Sequence, residues 1–328
     1  MVLGSALLVT LVLALLLASC EPGQRRSGPP QQGRAGEPGP TPSTAGTAAA
    51  IPAGRSSQTL TVGGVERKVN LYRPAGLVEP APLVVMLHGG YGNGVQAETS
   101  YHWDRAADSG RFLAAFPDGT NHSWNAGGQC CGPAAASGVD DVAFLREMVT
   151  TLRGQIAVDP RRVFVAGISN GGAMAYRMAC ETDLFAGVGA VSTTMLVDCP
   201  DPAQASVLHI HGAQDTAIRY DGAPGEPYSR RNAGIDGPPV PEVHAAWRSH
   251  DDCSAPQVTV AGVLTTSAAR CPEGRAVELV TIDGAGHQWP GGDPNTLAQR
   301  LGAATPSTAL DATARIWDFF AAHPAPAG

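Results

Sequence analysis

Ser169 lies in Gly167-Ile168-Ser169-Asn170-Gly171, between the apolar run Val163-Phe164-Val165-Ala166 and a stretch of helical spacing from Asn170 to Cys180. A residue that links a strand directly to a helix must turn sharply, and its neighbours collide unless two of them are glycines. The turn lifts the Ser169 hydroxyl clear of the sheet, and the helix N-terminus behind it favours developing negative charge. Gly-x-Ser-x-Gly alone is a weak pattern in a chain with 40 glycines. The strand before it and the helix after it make it specific, against the alternative of an ordinary Gly-rich turn. The chemistry this permits is nucleophilic attack by a serine oxygen, with an acyl intermediate on that oxygen.

A serine hydroxyl at its free pKa is a poor nucleophile and needs a base oriented by a carboxylate. Behind such a serine turn, the chain order is an acidic residue and then a histidine. The histidines after Ser169 are His209, His211, His244, His250, His287 and His323. His287 falls in Asp283-Gly284-Ala285-Gly286-His287-Gln288-Trp289-Pro290-Gly291-Gly292, a flexible loop after a predicted strand, where a base can reach across strand ends. His287 is therefore the expected base. His209 and His211 share one face of a strand and read as packing in the core or near the site. His244 and His250 fall on a predicted helix and His323 near the end of the chain, so these three read as surface residues. Asp215 sits at the C-terminal edge of the strand Val207-Leu208-His209-Ile210 and is the expected carboxylate. Asp221 is the reserve, while Asp198 and Asp201, beside Cys199, look structural. Two donors must face the oxyanion of a tetrahedral intermediate. The backbone N–H of Asn170 is one; Gly90, in the loop His88-Gly89-Gly90-Tyr91-Gly92-Asn93-Gly94, is expected to supply the other.

The elements that must hold these groups are legible as a pattern. Residues 58–72 alternate apolar and polar around Gly63-Gly64, as in a β-hairpin. Leu83-Val84-Val85-Met86-Leu87 is a continuous apolar run, the mark of a strand buried on both faces. Further strands are expected near 112–116, 163–166, 188–191, 207–210, 257–264 and 276–282. Helices are expected over 138–157, opened by Asp140 and Asp141, and over 170–180, 240–250 and 307–322. Strands alternating with helices predict a doubly wound, mostly parallel α/β sheet. No internal repeat is visible.

Residues 2–18 are almost unbroken apolar sequence and end at Leu17-Ala18-Ser19-Cys20. The run is short for a membrane span and reads as a signal peptide, 1–19. Leu-Ala-Ser-Cys resembles the lipobox of bacterial lipoproteins, which implies lipidation of Cys20 and export. The N-terminal Met1–Ser5 carries no Lys or Arg, and an uncleaved anchor is the competing reading. Residues 20–57 are rich in Pro, Gly, Gln, Ser, Thr and Ala and read as a disordered tether. Residues 58–328 remain for one domain with a large core. Net charge is −7 and Lys68 is the one lysine, so no basic cluster tracks a phosphate backbone and nucleic-acid binding is not expected. Six cysteines follow Cys20, an even number that suggests disulfides in an exported domain. Cys180–Cys199 and Cys253–Cys271 are favoured, each closing a loop of about 20 residues worth about 3 kcal/mol. Cys130 and Cys131 are then expected to join as a vicinal pair, with free thiols or a bond to a distant cysteine left open. A zinc site has less support, because no second CxxC or paired histidine accompanies them. Neither a metal nor a cofactor is expected, and a monomer is.

Over about residues 58–322 the chain resembles the polyhydroxybutyrate depolymerase and feruloyl esterase group of secreted α/β-hydrolases. The resemblance rests on Leu87-His88-Gly89-Gly90, Phe116-Pro117-Asp118-Gly119, Trp124-Asn125 with Cys130-Cys131, Gly138-Val139-Asp140-Asp141-Val142, Gly167–Gly172, His211-Gly212 with Asp215, and Gly286–Gly291. It implies an α/β-hydrolase fold, ester hydrolysis through an acyl-enzyme without a cofactor, and an ester substrate, small or polymeric. Trp124, Asn125 and Trp289 resemble pocket-lining positions of that group, with core packing as the alternative for the tryptophans. The competing functions are acyl transfer, as in cell-envelope mycolyltransferases, and non-catalytic binding in the envelope; an intact Ser–Asp–His set argues against the latter.

Overall fold

The strands Ala81–Leu87 (β3), Leu113–Pro117 (β4), Gly187–Val191 (β6) and Ser206–Gly212 (β7) are buried at every residue. Such strands survive only in the middle of a sheet covered on both faces. The computed structural model describes residues 50–226, 235–294, 299 and 304–327. In it they lie in a ten-stranded sheet of order β1-β2-β4-β3-β5-β6-β7-β10-β9-β8. The remaining strands are Gly54–Val62 (β1), Val65–Arg73 (β2), Val158–Ile168 (β5), Gln257–Ala261 (β8), Leu264–Arg270 (β9) and Ala276–Ile282 (β10). The six strands from β4 to β10 pair in parallel, and the pairs at either end are antiparallel.

Strict alternation sends Leu83, Val85 and Leu87 of β3 to one face of the sheet and Val84 and Met86 to the other. The first face packs against Asp141–Gln155 (α4), Asn170–Glu181 (α5) and Val240–His250 (α6), through Met148, Met174 and Trp247 among others. The second packs against Gly94–Ser100 (α1), Trp103–Gly110 (α2) and a closing helix, through Ala97, Trp103 and Phe320. A short helix, Gly132–Ala136 (α3), precedes α4, and Ala312–Ala322 (α7) is the closing helix. The chain leaves β3 for β4 on one side and returns to β5 on the other. The carboxyl ends of β3 and β5 therefore flank a crevice, where ligands bind in open sheets of this kind.

The structure differs from the sequence reading at several places. Residues 50–57, assigned to the tether by composition, belong to the fold: β1 starts at Gly54 and Ile51 is buried. Their register against β2, Gly54 opposite Arg73, supplies the backbone partners that composition cannot reveal. The single strand expected at 257–264 is a hairpin, turned at Gly262, whose φ of 60° suits glycine. The last helix begins at Ala312, where Asp311 accepts a hydrogen bond from Ala314 N, and not at 307. The helices α1 and α2, of seven and eight residues, are too short to show a period. Asp141 does not simply face a helix end. It is buried and paired with Arg67 of β2 at 2.7 Å.

Disulfides join Cys130 to Cys131, Cys180 to Cys199 and Cys253 to Cys271. The described residues belong to one compact unit spanning 47–328. Among them no helix is long and apolar enough to cross a membrane, and no cluster of His, Cys, Asp and Glu is arranged to hold a metal ion. The leader 1–19, Cys20 and most of the tether lie outside the described residues.

Candidate active site

Ser169 connects β5 to α5 with φ 55° and ψ −125°, a conformation rarely adopted by a residue with a side chain. The surrounding backbone imposes it. A Cβ on Gly167 would strike the backbone of Gly171, and one on Gly171 would strike the carbonyls of Leu87 and His88. Ser169 N donates to Val191 O at 3.0 Å, and Ser169 O accepts from Ala173 N at 2.9 Å and Thr193 Oγ1 at 2.8 Å. The nucleophile candidate is thus tied to the end of β6 as well as to its own helix.

Asp215 and His287 follow β7 and β10, which are neighbours in the sheet. His287 Nδ1 and Asp215 Oδ2 are 2.8 Å apart, and both residues are buried. Since a carboxylate can only accept, Nδ1 carries the proton and Nε2 is the nitrogen left to act as a base. The other carboxylate oxygen, Oδ1, accepts from Ala217 N and Ile218 N, both at 2.9 Å. Burial alone would push the Asp215 carboxyl up. The electrostatic attraction and hydrogen bond of the His287 side chain, with help from His211 and the Ile218 amide, overcome it and hold the group below the ordinary carboxylate value. Asp221, the reserve candidate, is exposed and paired with Arg219 at 2.8 Å.

Ser192 links the serine to the histidine loop, a role with no signature in the sequence. Its N–H donates to Ile210 O at 2.9 Å, and its Oγ donates to Gln288 O at 3.1 Å. It stands between Val191, which holds Ser169 N, and Gln288, which follows His287. Cross-links from Gln214 N to Ala285 O at 2.8 Å and from Ala213 N to Ile282 O at 2.9 Å bind the Asp215 and His287 loops together.

The loop after β3 approaches the nucleophile closely: a Cβ on Gly89 would lie 3.6 Å from Ser169 Cβ. Gly90 beyond it is exposed, with open space where a side chain would go. His88 braces this loop from below. Its Nε2 accepts from Gly119 N at 2.9 Å, so its Nδ1 carries the proton and donates to Gly89 O at 2.8 Å. Burial lowers the His88 pKa to about 4, outweighing the Gly89 bond and Asp118, so the ring is neutral at ordinary pH.

Trp124 and Trp289 are placed in the core. Trp124 is fully buried and acts as a strut: its indole N–H donates to His88 O at 2.9 Å, while its backbone N–H donates to Asn170 Oδ1 at 2.7 Å. It thereby ties the Gly90 loop to Asn170, the two places where oxyanion donors are expected. Trp289 stacks on Tyr101 and donates to Thr313 Oγ1 at 3.0 Å, anchoring the His287 loop to α7. Neither indole presents a face to solvent. Asn125 is half-buried and sits in a polar groove of about 450 Å³ with Asp140, Arg146, Arg177 and Glu181. Its backbone N–H donates to Asp141 Oδ2 at 2.7 Å and its side-chain amide to Val139 O at 3.0 Å. His244, expected at the surface, is buried on α6 against Tyr176, because α6 turns that edge toward the sheet.

The sequence profile of the esterase PHB depolymerase family matches residues 68–221. A protein of Nocardia uniformis subsp. tsuyamanensis, NocK, named as an esterase, is 30% identical over 262 residues, 72% of this chain and 74% of NocK. Feruloyl esterase B of Piromyces equi is 28% identical over 240 residues, 67% of this chain but 42% of that enzyme, so the chain spans less than half of that relative. Among solved structures, the acetyl xylan esterase from Aspergillus awamori superposes with a TM-score of 0.53 at 16% identity, covering 76% of this chain and all of that one. At that identity the likeness carries the fold, which is the α/β-hydrolase fold. On these matches the chain belongs to the esterase PHB depolymerase family, and it is a carboxylic-ester hydrolase.

Proposed function

We propose that the protein hydrolyses carboxylic esters through an acyl-enzyme on Ser169, with His287 as base and Asp215 as its orienting carboxylate. The observation that supports this reading is the 2.8 Å bond between His287 and Asp215, residues 72 apart in the chain and brought together at the ends of adjacent strands. His287 Nε2 takes the Ser169 hydroxyl proton as Oγ attacks the ester carbonyl carbon. The carbonyl electron pair moves onto oxygen, where the amides of Gly90 and Asn170 receive it. Collapse breaks the bond to the alcohol oxygen, which takes the proton from His287. Water then repeats the attack, with His287 as base, and releases the acid.

The substrate class is an ester of a hydroxy acid or of an aromatic acid such as ferulate, small or polymeric. Feruloyl esterase B among the relatives supports the aromatic side of that choice. The protein acts outside the cytoplasm, attached through a lipid on Cys20; three disulfides fit an oxidising compartment. A panel of p-nitrophenyl esters of graded chain length, with methyl ferulate and short hydroxybutyrate oligomers, separates these substrates. Ser169→Ala is expected to lower turnover on the best of them by about a millionfold, as loss of a triad serine does. Activity within about tenfold of wild type would remove Ser169 from the mechanism.

A further inference from the structure

Beside Asp215 four buried side chains form a chain of contacts. His211 Nε2 lies 2.9 Å from Ile218 O and 3.6 Å from Asp215 Oδ2. His211 Nδ1 meets His209 Nε2 at 3.0 Å, and His209 Nδ1 meets the Tyr176 hydroxyl at 2.9 Å. His244 Nε2 lies 3.5 Å beyond the hydroxyl, and its Nδ1 has no hydrogen-bond partner among the described residues. All four residues are 1% exposed or less.

The acceptors fix the direction of every bond. A carbonyl oxygen only accepts, so His211 Nε2 carries a proton and donates to Ile218 O. Burial keeps His211 and His209 neutral by lowering both below the ordinary histidine value. His211 Nδ1 is therefore bare and accepts from His209 Nε2–H. His209 Nδ1 is bare in turn and accepts from the Tyr176 hydroxyl, whose oxygen remains free to accept from His244 Nε2–H. The line ends on the turn that presents the carboxylate, since Ile218 N donates to Asp215 Oδ1 while Ile218 O accepts from His211. The same His211 nitrogen lies 3.6 Å from Asp215 Oδ2, the oxygen bonded to His287.

We propose that His211 is a positioning residue for Asp215, and that Tyr176 acts at a distance by holding His211, through His209, in the one tautomer that can support the Asp215 turn. The proposal rests on the reading of Asp215 and His287 given above. Tyr176 belongs to α5, the helix that Ser169 caps, so the same helix carries the nucleophile and sets the geometry of the carboxylate.

Four variants test it. Turnover of the His211 and Tyr176 variants is expressed per site titrated by a fluorophosphonate, so that loss of folded protein does not count as loss of rate. Ser169→Ala has no serine to titrate, and its turnover is expressed per mole of protein shown folded by circular dichroism. His211→Leu is expected to lower kcat by about 10- to 100-fold with KM within about twofold, the effect of a misplaced catalytic group. His211→Gln, whose amide N–H reaches Ile218 O, is expected to recover most of that loss. Tyr176→Phe, which removes one oxygen, is expected to lower kcat about three- to tenfold, again with KM held. Wild-type turnover per site in both His211→Leu and Tyr176→Phe would overturn the proposal. So would a His211→Gln variant as impaired as His211→Leu. Ser169→Ala runs alongside: if it keeps turnover, the mechanism itself fails; if it is dead while the others match wild type, only the positioning proposal fails.

Discussion

Asn170 holds Trp124 at two points, its Oδ1 accepting from Trp124 N at 2.7 Å and its Nδ2 donating to Trp124 O at 2.9 Å. The pair forms a closed ring of hydrogen bonds between a side chain and a backbone, and the Trp124 indole carries it on to His88 O. A residue singled out for its backbone amide thus has a second task in its side chain.

Asn170→Ala separates the two tasks, because the backbone amide stays and the side-chain link goes. It leaves the buried Trp124 N–H unpaired and its C=O with only the longer bond from Cys131 N at 3.4 Å, so a loss of about 1–3 kcal/mol is expected in chemical denaturation. The His88 loop loses its support at the same time, and kcat per titrated site is expected to fall about tenfold or more. Unchanged stability together with unchanged kcat would show that the link does nothing.

Asp215→Asn keeps the size of the side chain and removes its charge. The carboxamide can offer an N–H to His287 Nδ1, which favours the tautomer with Nε2 protonated and useless as a base. The expected fall in kcat is about 10⁴-fold, the scale of the same change in serine proteases, with little change in fold. The measurement is steady-state hydrolysis of a p-nitrophenyl ester, backed by circular dichroism. A loss below about tenfold would reassign the carboxylate.

Acid is expected to destabilise the fold through its buried histidines. Burial depresses His88 to about 4 and His244 to about 3, and lowers His209 and His211 as well. An unfolded histidine binds its proton near pH 6.5, so between 6.5 and about 4 the unfolded chain holds protons that the folded chain refuses. Stability therefore falls as pH falls through that window, by up to about 1.4 kcal/mol per pH unit for each such histidine. Asp141 and Asp251, pushed up by burial, act in the opposite sense, so a single substitution is the cleaner readout. His244→Gln should flatten the slope of unfolding free energy against pH by about one proton. An unchanged slope would mean that His244 is protonated in the folded state.

Cys20→Ser is expected to move the protein from the detergent phase to the soluble fraction, or to leave an unprocessed precursor. The motivation is the apolar run 2–18 ending in Leu-Ala-Ser-Cys. One acyl chain binds a membrane only marginally, so mass spectrometry of the wild type should find more than one on the mature N-terminus. A mature protein without acyl chains would rule out the anchor.

What the sequence determined by itself was local. The serine turn was legible because two glycines, a buried strand and a helix are consecutive in the chain, and β3, β6 and β7 because an apolar run needs cover on both faces. The order of carboxylate and histidine along the chain, with the strand ends on which they fall, pointed to Asp215 and His287 as candidates, and the structure places them 2.8 Å apart. The tertiary structure decided what depends on which segments become neighbours. Pairing of β1 with β2 drew Gly54 into the fold against its tether-like composition. The packing of α6 buried His244, and the meeting of the segments after β3 and β4 with the start of α5 made Trp124 a strut. Ser192 and the His211 line have no sequence pattern, because their partners come from β7, α5, α6 and the His287 loop at once. A side chain's type sets which bonds it can make; only the packed sheet sets which partner stands within 3 Å of it.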